Sequence, residues 1–331
     1  MTIKVAINGF GRIGRNVLRA IAESGRDDLE VVAINDLTPV DNSAYLFKYD
    51  SVHKVFPGEV KHTVDTIDVG LGPIRVSAER DPSKLSWSGV DVALECTGIF
   101  KDREKAQAYL AAGASKVLIS APGKNADKTV VYGVNHDTLT SDDKIVSNAS
   151  CTTNCLSPVV KSLHDAFGIE NGLVTTVHAY TGSQPTLDRG NKNWERGRAA
   201  AVSMVPTSTG AAKAVGLVLP ELDGKLNGFA IRVPTPNVSC IDFTFNAEKP
   251  LSVEAINETL VASAQATPSV LGTTNMPLVS IDLNHDPRSS IVALPETTTQ
   301  GQMGRVLAWY DNEWGFSNRM GDVAALMGAL G

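Results

Sequence analysis

Two residues four positions apart, Cys151 and Cys155 in Ser150-Cys151-Thr152-Thr153-Asn154-Cys155, are the first candidates for chemistry. Apolar residues resume at helical spacing directly afterwards, at Leu156, Val159, Val160 and Leu163, which predicts a helix with Cys151 at its start. A helix N-terminus carries partial positive charge. That position is expected to lower the thiol pKa and make Cys151 a nucleophile. Cys155, one turn along, reads as a buried thiol, and Pro158 should bend this helix or cost it a backbone bond. His178 closes the strand-like run Val174-Thr175-Thr176-Val177. It could face Cys151 across the domain junction, as an imidazolium supporting a thiolate or as a base taking the proton. His53, His62, His136 and His285 lie in polar stretches and read as solvated, while the face of His164 is left open. No second cysteine pair or close histidine pair accompanies them, so no metal is expected.

A second group binds rather than reacts. Gly9-Phe10-Gly11-Arg12-Ile13-Gly14 matches the G-x-G-x-x-G spacing, after the strand pattern Ile3-Val5-Ile7 and before a helical pattern at Ile13, Val17 and Ile21. Gly9 supplies a tight turn, Gly11 a close approach to a pyrophosphate, and Gly14 close packing of helix on strand. About twenty residues further on, Asp36 ends the run Val31–Ile34, where a carboxylate accepts from ribose hydroxyls and repels an added 2′-phosphate. These residues predict NAD as cofactor. Ala179–Gly182, Arg196–Arg198, Pro206–Gly210 and Ile231–Pro234 carry hydroxyls, glycines or arginines suited to an anion. Each alone reads as a solvated loop; together they predict phosphate recognition.

The elements that must position these residues fall into two textures. Up to about residue 150, strands at Val90–Cys96, Lys116–Ser120, Thr129–Val134 and Ile145–Val146 and a helix at Glu104–Ala112 extend the first strand-helix-strand unit. The fold class expected is α/β: a doubly wound parallel (Rossmann) sheet over 1–150, with helices on both faces. Beyond it, Val174–Ala179, Phe229–Val233, Ser239–Phe245, Ser290–Ala293 and Arg305–Trp309 read as strands. Ile241, Phe243 and Phe245 alternate with Asp242 and Thr244, the mark of a sheet with one covered face. An α+β domain over 151–315 with a mostly antiparallel sheet follows. An amphipathic helix, 316–331, is expected to return to the first domain.

Totals bound the function. The chain has 331 residues, 43% hydrophobic and 20% charged, with net charge −6 and no long basic run, which argues against a nucleic-acid footprint. No apolar stretch is long enough to span a bilayer, and no leader precedes the first strand. With four cysteines in so long a chain, a reduced, cytoplasmic setting without disulfides is expected.

NGFGRIGR at 8–15, SNASCTTNC at 147–155, HAYT at 178–181, STGAAKAVG at 208–216, RVPTPNVS at 232–239 and WYDNEWG at 309–315 resemble the phosphorylating glyceraldehyde-3-phosphate dehydrogenases of bacteria. The resemblance implies NAD-dependent oxidation of D-glyceraldehyde 3-phosphate to 1,3-bisphosphoglycerate. Cys151 would form a hemithioacetal and then a thioester, with His178 as base and inorganic phosphate as the final acceptor. It places Thr181 and Arg232 on the substrate phosphate, Ser150, Thr152, Thr209 and Gly210 on the attacking phosphate, and Arg196 near both. Arg12, Ile13, Asp36, Arg80, Thr97, Ser120 and Asn312 become cofactor contacts. A homotetramer is implied, with the loop near 180–205 packed against a neighbour's cofactor site. Three positions depart from the family's pattern. Ser183 stands where many relatives are acidic. Phe316 replaces a common tyrosine. Arg189-Gly190 replaces Leu-Pro and leaves some NADP use open, although Leu37 fits the NAD pattern. An erythrose-4-phosphate dehydrogenase, and a non-catalytic redox sensor built on Cys151, are the alternatives.

Overall fold

The computed structural model describes residues 2–331, which divide into two compact units: residues 2–150 with 317–331, and residues 151–316.

The first unit is built on a nine-stranded sheet. Its order is Lys128–Thr129, Ile145–Ser147, Lys116–Ile119, Val92–Glu95, Ile3–Asn8, Leu29–Asn35, Ile74–Ser77, Thr66–Asp68 and Lys61–His62. The first seven pair in parallel and the last two add antiparallel at one edge. Central strands such as Val92–Glu95 and Lys116–Ile119 are buried on both faces. That is why they read as unbroken apolar runs rather than alternations. The chain leaves Ile3–Asn8 for the neighbour Leu29–Asn35 and later returns to its other side at Val92–Glu95. The strand order therefore reverses beside Asn8 and Glu95, and a crevice at such strand ends is where ligands bind in open α/β sheets.

One strand expectation fails here. Thr129–Val134 is not a strand: only Lys128–Thr129 pairs, and a turn follows. The Asn135 side chain accepts from Val131 N (2.8 Å) and donates to Thr129 O (3.0 Å), so it occupies the groups a ladder would use. The helix Val40–Lys48 and the hairpin edge through Lys61–His62 and Thr66–Asp68 had no periodic signal long enough to read.

The second unit carries an eight-stranded sheet. Along its main path lie Val205–Ser208, Leu226–Val233, Ile169–Ala179, Ser239–Ala247, Met303–Tyr310, Ser290–Ala293 and Leu271–Thr274. Most pairs are antiparallel, but Ile169–Ala179 runs parallel to Leu226–Val233, and Leu271–Thr274 to Ser290–Ala293. Ile241, Phe243 and Phe245 are buried and Asp242 and Thr244 are half-buried, as their alternation predicts. The helix Cys151–Phe167 runs unbroken through Pro158. Pro206–Ser208, read as part of a loop, belongs to a strand paired with Phe229–Ile231.

Candidate active site

In the first unit a cleft of about 450 Å³ opens at the strand reversal and is lined by Gly9, Gly11, Asp36, Arg80 and Thr97 among others. Gly9 adopts φ +91°, and a Cβ there would lie 2.7 Å from Thr97 N. A Cβ on Gly14 would lie 2.1 Å from Gly9 O, so the helix Arg12–Ser24 packs on the turn only as glycine. Gly11 differs: a Cβ there meets no protein atom within 4 Å. The chain's own packing does not demand glycine at that position, which is what an approaching ligand would require. Gly11 is also the N-cap and offers no side chain to the helix, whose first turn holds no acidic residue. Such an end suits an anion.

Asp36 accepts from Phe10 N at 2.5 Å and from Thr38 N at 2.8 Å, which fixes its carboxylate at the cleft edge. Arg12 forms a two-point ion pair with Asp50, its Nη2 3.2 Å from Oδ1. Burial pushes the Asp50 carboxyl up, but the guanidinium and the His53 and Val52 amides prevail and hold it at about 2. The charge of Arg12 is thus already matched, and its contribution to a phosphate falls to the backbone of the helix start. Ile13 is half-buried in that same turn. Ser120 follows the strand Lys116–Ile119, with its N donating to Glu95 O at 3.0 Å, and does not line the cleft.

In the second unit Cys151 is the first residue of its helix, and its Sγ lies 3.5 Å from His178 Nε2. Both belong to one unit and do not face each other across a junction. His178 Nδ1 lies 2.7 Å from Ala179 O, an acceptor, and 3.0 Å from Arg232 Nη1, a donor, so its two neighbours favour opposite tautomers while Nε2 faces the sulfur. Parallel register sets Arg232 beside His178, and Arg232 Nη1 donates to the same Ala179 O at 2.9 Å.

The expected low thiol pKa is not what this environment produces. Burial raises Cys151; Arg232, the Thr152 hydroxyl and local backbone amides only oppose it. Burial, and then the charge of Arg232, lower His178 to about 3. The resting pair is a neutral thiol facing a neutral imidazole. Ionising either group alone is unfavourable. Moving the proton from sulfur to nitrogen creates both charges at contact distance, where their attraction offsets desolvation.

Around this pair the anion candidates gather. Arg196 Nε donates to Thr207 Oγ1 at 2.8 Å, Thr181 and Ser183 hydroxyls lie 3.0 Å apart, and Arg232 Nη1 reaches Thr181 Oγ1 at 3.5 Å. Arg232 Nε is buried with no protein partner, a donor left over for a ligand. Thr209 Oγ1 accepts from Ala211 N at 3.2 Å, and Gly210 caps the helix Ala211–Val218. Ser150 directly precedes Cys151. Asn312 Oδ1 accepts from Ser239 (2.8 Å), whose Oγ accepts from Ala179 N (3.0 Å), so its amide is held with Oδ1 occupied.

Spacing did not reveal two groups under the pair. The buried Tyr310 hydroxyl bonds Thr152 Oγ1 at 2.8 Å and Thr176 Oγ1 at 2.9 Å, and its ring meets His178 edge-on, 5.9 Å between centroids. Tyr310 stands within WYDNEWG, but its link to Thr152 and Thr176 has no local signal; only tertiary pairing brings them together. Other histidines differ from expectation. His53 is buried, 4% exposed, with its carbonyl accepting from Arg19, and His285 stacks on Trp314 at 3.6 Å. His164 Nδ1 accepts from Ile169 N at 2.9 Å and serves the turn after its helix. Cys155 is buried against Ser290, as expected. All four cysteines are free, and the described residues hold no metal-binding cluster.

Comparison with known proteins gives the same two halves. Residues 3–103 match the model for "Glyceraldehyde 3-phosphate dehydrogenase, NAD binding domain", and residues 150–312 match "Glyceraldehyde 3-phosphate dehydrogenase, C-terminal domain". Proteins named glyceraldehyde-3-phosphate dehydrogenase from Xanthobacter flavus, Cereibacter sphaeroides and Geobacillus stearothermophilus are 65%, 62% and 52% identical, each aligned over the full length of both chains. A cleft formed for a dinucleotide and a cysteine-histidine pair among phosphate donors thus occur in a chain that belongs to the glyceraldehyde-3-phosphate dehydrogenase family.

Proposed function

We propose that the chain is a phosphorylating, NAD-dependent glyceraldehyde-3-phosphate dehydrogenase in which Cys151 is the nucleophile and His178 its base. The observation that carries this is the Sγ–Nε2 approach of 3.5 Å. Cys151 attacks the aldehyde carbon of glyceraldehyde 3-phosphate as its proton passes to His178 Nε2, and the imidazolium returns that proton to the carbonyl oxygen, giving a hemithioacetal on sulfur. Bound NAD supplies the acceptor for the hydride this intermediate loses. The resulting thioester on Cys151 is cleaved by inorganic phosphate, which frees the thiol and releases 1,3-bisphosphoglycerate.

Arg232 and Thr181 hold the substrate's phosphate, and the unpartnered Arg232 Nε supports that assignment. Ser150, Thr152, Thr209 and Gly210 receive the attacking phosphate, with Arg196 between the two. Gly9, Gly11, Ile13 and Gly14 form the pyrophosphate turn, Arg12 contributing its backbone. Asp36 and Arg80 line the adenosine side, Thr97 lines the facing wall, Ser120 adds a hydroxyl near that wall, and the oriented Asn312 amide meets the nicotinamide. Residues 1–150 with 316–331 then form the NAD-binding domain and 151–315 the catalytic domain.

The protein works as a cytoplasmic homotetramer. Leu187, Trp194, Val202 and Met204 are exposed along one loop, and Leu173 and Phe229 are exposed on the second sheet. Apolar surface of that extent is characteristic of an interface, here with further copies of the chain. No helix among the described residues is long and apolar enough to cross a membrane.

The test is the initial rate of reduced-cofactor formation from glyceraldehyde 3-phosphate, with and without phosphate, using NAD and NADP in parallel. Fast, phosphate-dependent turnover with NAD is expected. Turnover that ignores phosphate would mean that water cleaves the thioester and that the attacking-phosphate site is wrongly assigned.

A further inference from the structure

Beneath the cofactor cleft lies a run of polar side chains with one polarity, buried except for Ser77 at its outer end. Ser77 Oγ donates to Asn35 Oδ1 (2.8 Å), and Asn35 Nδ2 donates to Asn8 Oδ1 (2.7 Å). Asn8 Nδ2 donates to Tyr109 Oη (2.5 Å), and Tyr109 donates to Glu95 Oε2. The other carboxyl oxygen, Oε1, accepts from Thr97 N (2.8 Å), Gly98 N (2.9 Å) and the Thr97 hydroxyl. Asn8, Asn35 and Glu95 end three adjacent strands, and Glu95 is 0% exposed. Every amide orientation is dictated by its neighbours. Reversing Asn8 would aim a donor at Asn35 Nδ2 and an acceptor at Glu95. Burial and the adjacent Glu95 carboxyl push the Tyr109 hydroxyl far above its ordinary value, so it remains the donor.

The two ends of this run are the two walls of the cleft. At one end Asn35 Oδ1 also accepts from Glu79 N (2.8 Å), and Ser77 O accepts from Asp36 N (2.9 Å), tying down the segment that carries Asp36 and Arg80. At the other end Glu95 gathers three donors from the segment that carries Thr97 and Ile99. We propose that Asn35, Asn8, Tyr109 and Glu95 form a one-way hydrogen-bond relay that sets the spacing of the two walls, making Tyr109 and Glu95 positioning residues for dinucleotide binding. Packing alone does not call for these polar groups. The Tyr109 ring already stacks on Trp87 (5.7 Å) inside an apolar cluster, and a phenylalanine would fill the same space. A carboxyl is required at 95 because the relay and the Thr97 segment both arrive as donors, whereas a glutamine would present Nε2 to Asn8 Nδ2 or to the loop amides.

This rests on the NAD-binding reading above, and the experiment separates the two. Affinities of NAD, ADP-ribose and AMP are measured for wild type, Tyr109→Phe, Glu95→Gln and Ser77→Ala, together with steady-state kinetics and melting temperature. Ligands that span both walls, NAD and ADP-ribose, should weaken about tenfold in Tyr109→Phe and Glu95→Gln, the loss typical of an unpaired buried group. AMP, which needs only the Asp36 wall, should change little. KM for NAD should rise while kcat at saturating NAD and KM for the aldehyde stay put. Ser77→Ala, at the exposed rim, should show the same pattern at smaller size and keep the melting temperature, which guards against a core variant that does not fold. The proposal is overturned if AMP and NAD weaken together, or if melting falls while NAD affinity holds. A wild type that fails to bind NAD would instead overturn the functional reading itself.

Discussion

Cys151 and His178 each sit in an environment that disfavours their charged forms, burial raising the thiol and lowering the imidazole to about 3. Reactivity must therefore come from proton transfer within the pair. Cys151→Ser should leave NAD binding intact and abolish turnover, and substantial residual dehydrogenase rate would sink the nucleophile assignment. His178→Asn should slow iodoacetamide alkylation of Cys151 at neutral pH, because the thiol loses its proton acceptor; an unchanged rate would mean that His178 does not activate it. The sign of the linkage also follows. The folded-state value of His178 is depressed from its ordinary 6.5, so the stability it contributes is complete above that value and fades as pH falls toward about 3. Over this window wild type should lose melting temperature faster than His178→Asn. The identity of both residues was legible in the sequence, since a cysteine before a helical pattern is a local feature. Their protonation was not, because it depends on burial and on Arg232, which arrives by strand pairing.

Among the elements, the turn from the first strand into the first helix separates folding from binding within six residues. Gly14→Ala would drive a Cβ into Gly9 O, and about 1–3 kcal/mol of destabilisation is expected in urea unfolding. Gly11→Ala meets no protein atom, so stability should hold while NAD affinity falls. Equal affinity for NAD in Gly11→Ala would remove Gly11 from the pyrophosphate site. This turn was fully legible because its signal is local: strand, glycine spacing, helix. Elements that depend on distant partners were not. Thr129–Val134 has the composition of a strand, yet Asn135 occupies its backbone groups. The expected strand Val174–Ala179 in fact begins at Ile169, because pairing with Ser239–Ala247 carries it through Asn171-Gly172, a dipeptide that reads as a turn.

At the scale of the whole molecule, the two textures of the sequence correspond to two sheets of different pairing, one mainly parallel and one mainly antiparallel. Buried parallel strands announce themselves by unbroken apolar runs, and half-covered antiparallel strands by alternation, so fold class was legible where exact edges were not. Assembly is the property least accessible from one chain. The exposed Trp194, Leu187 and Met204 predict a tetramer in sedimentation at micromolar concentration, and Trp194→Asp together with Met204→Asp should shift it toward smaller species. A monodisperse monomer for wild type would remove the assembly proposal.

The register that pairs His178 with Arg232 on adjacent parallel strands has one more consequence. Neighbouring strands are held about 4.8 Å apart by backbone hydrogen bonds, not by rotamers. The sheet therefore acts as a ruler between the imidazole and the guanidinium that we propose for the aldehyde and its phosphate. Its graduation is cut in main chain, so no single side-chain exchange can stretch it. A phosphorylated aldehyde with a longer carbon spacer must leave one of its two ends misplaced.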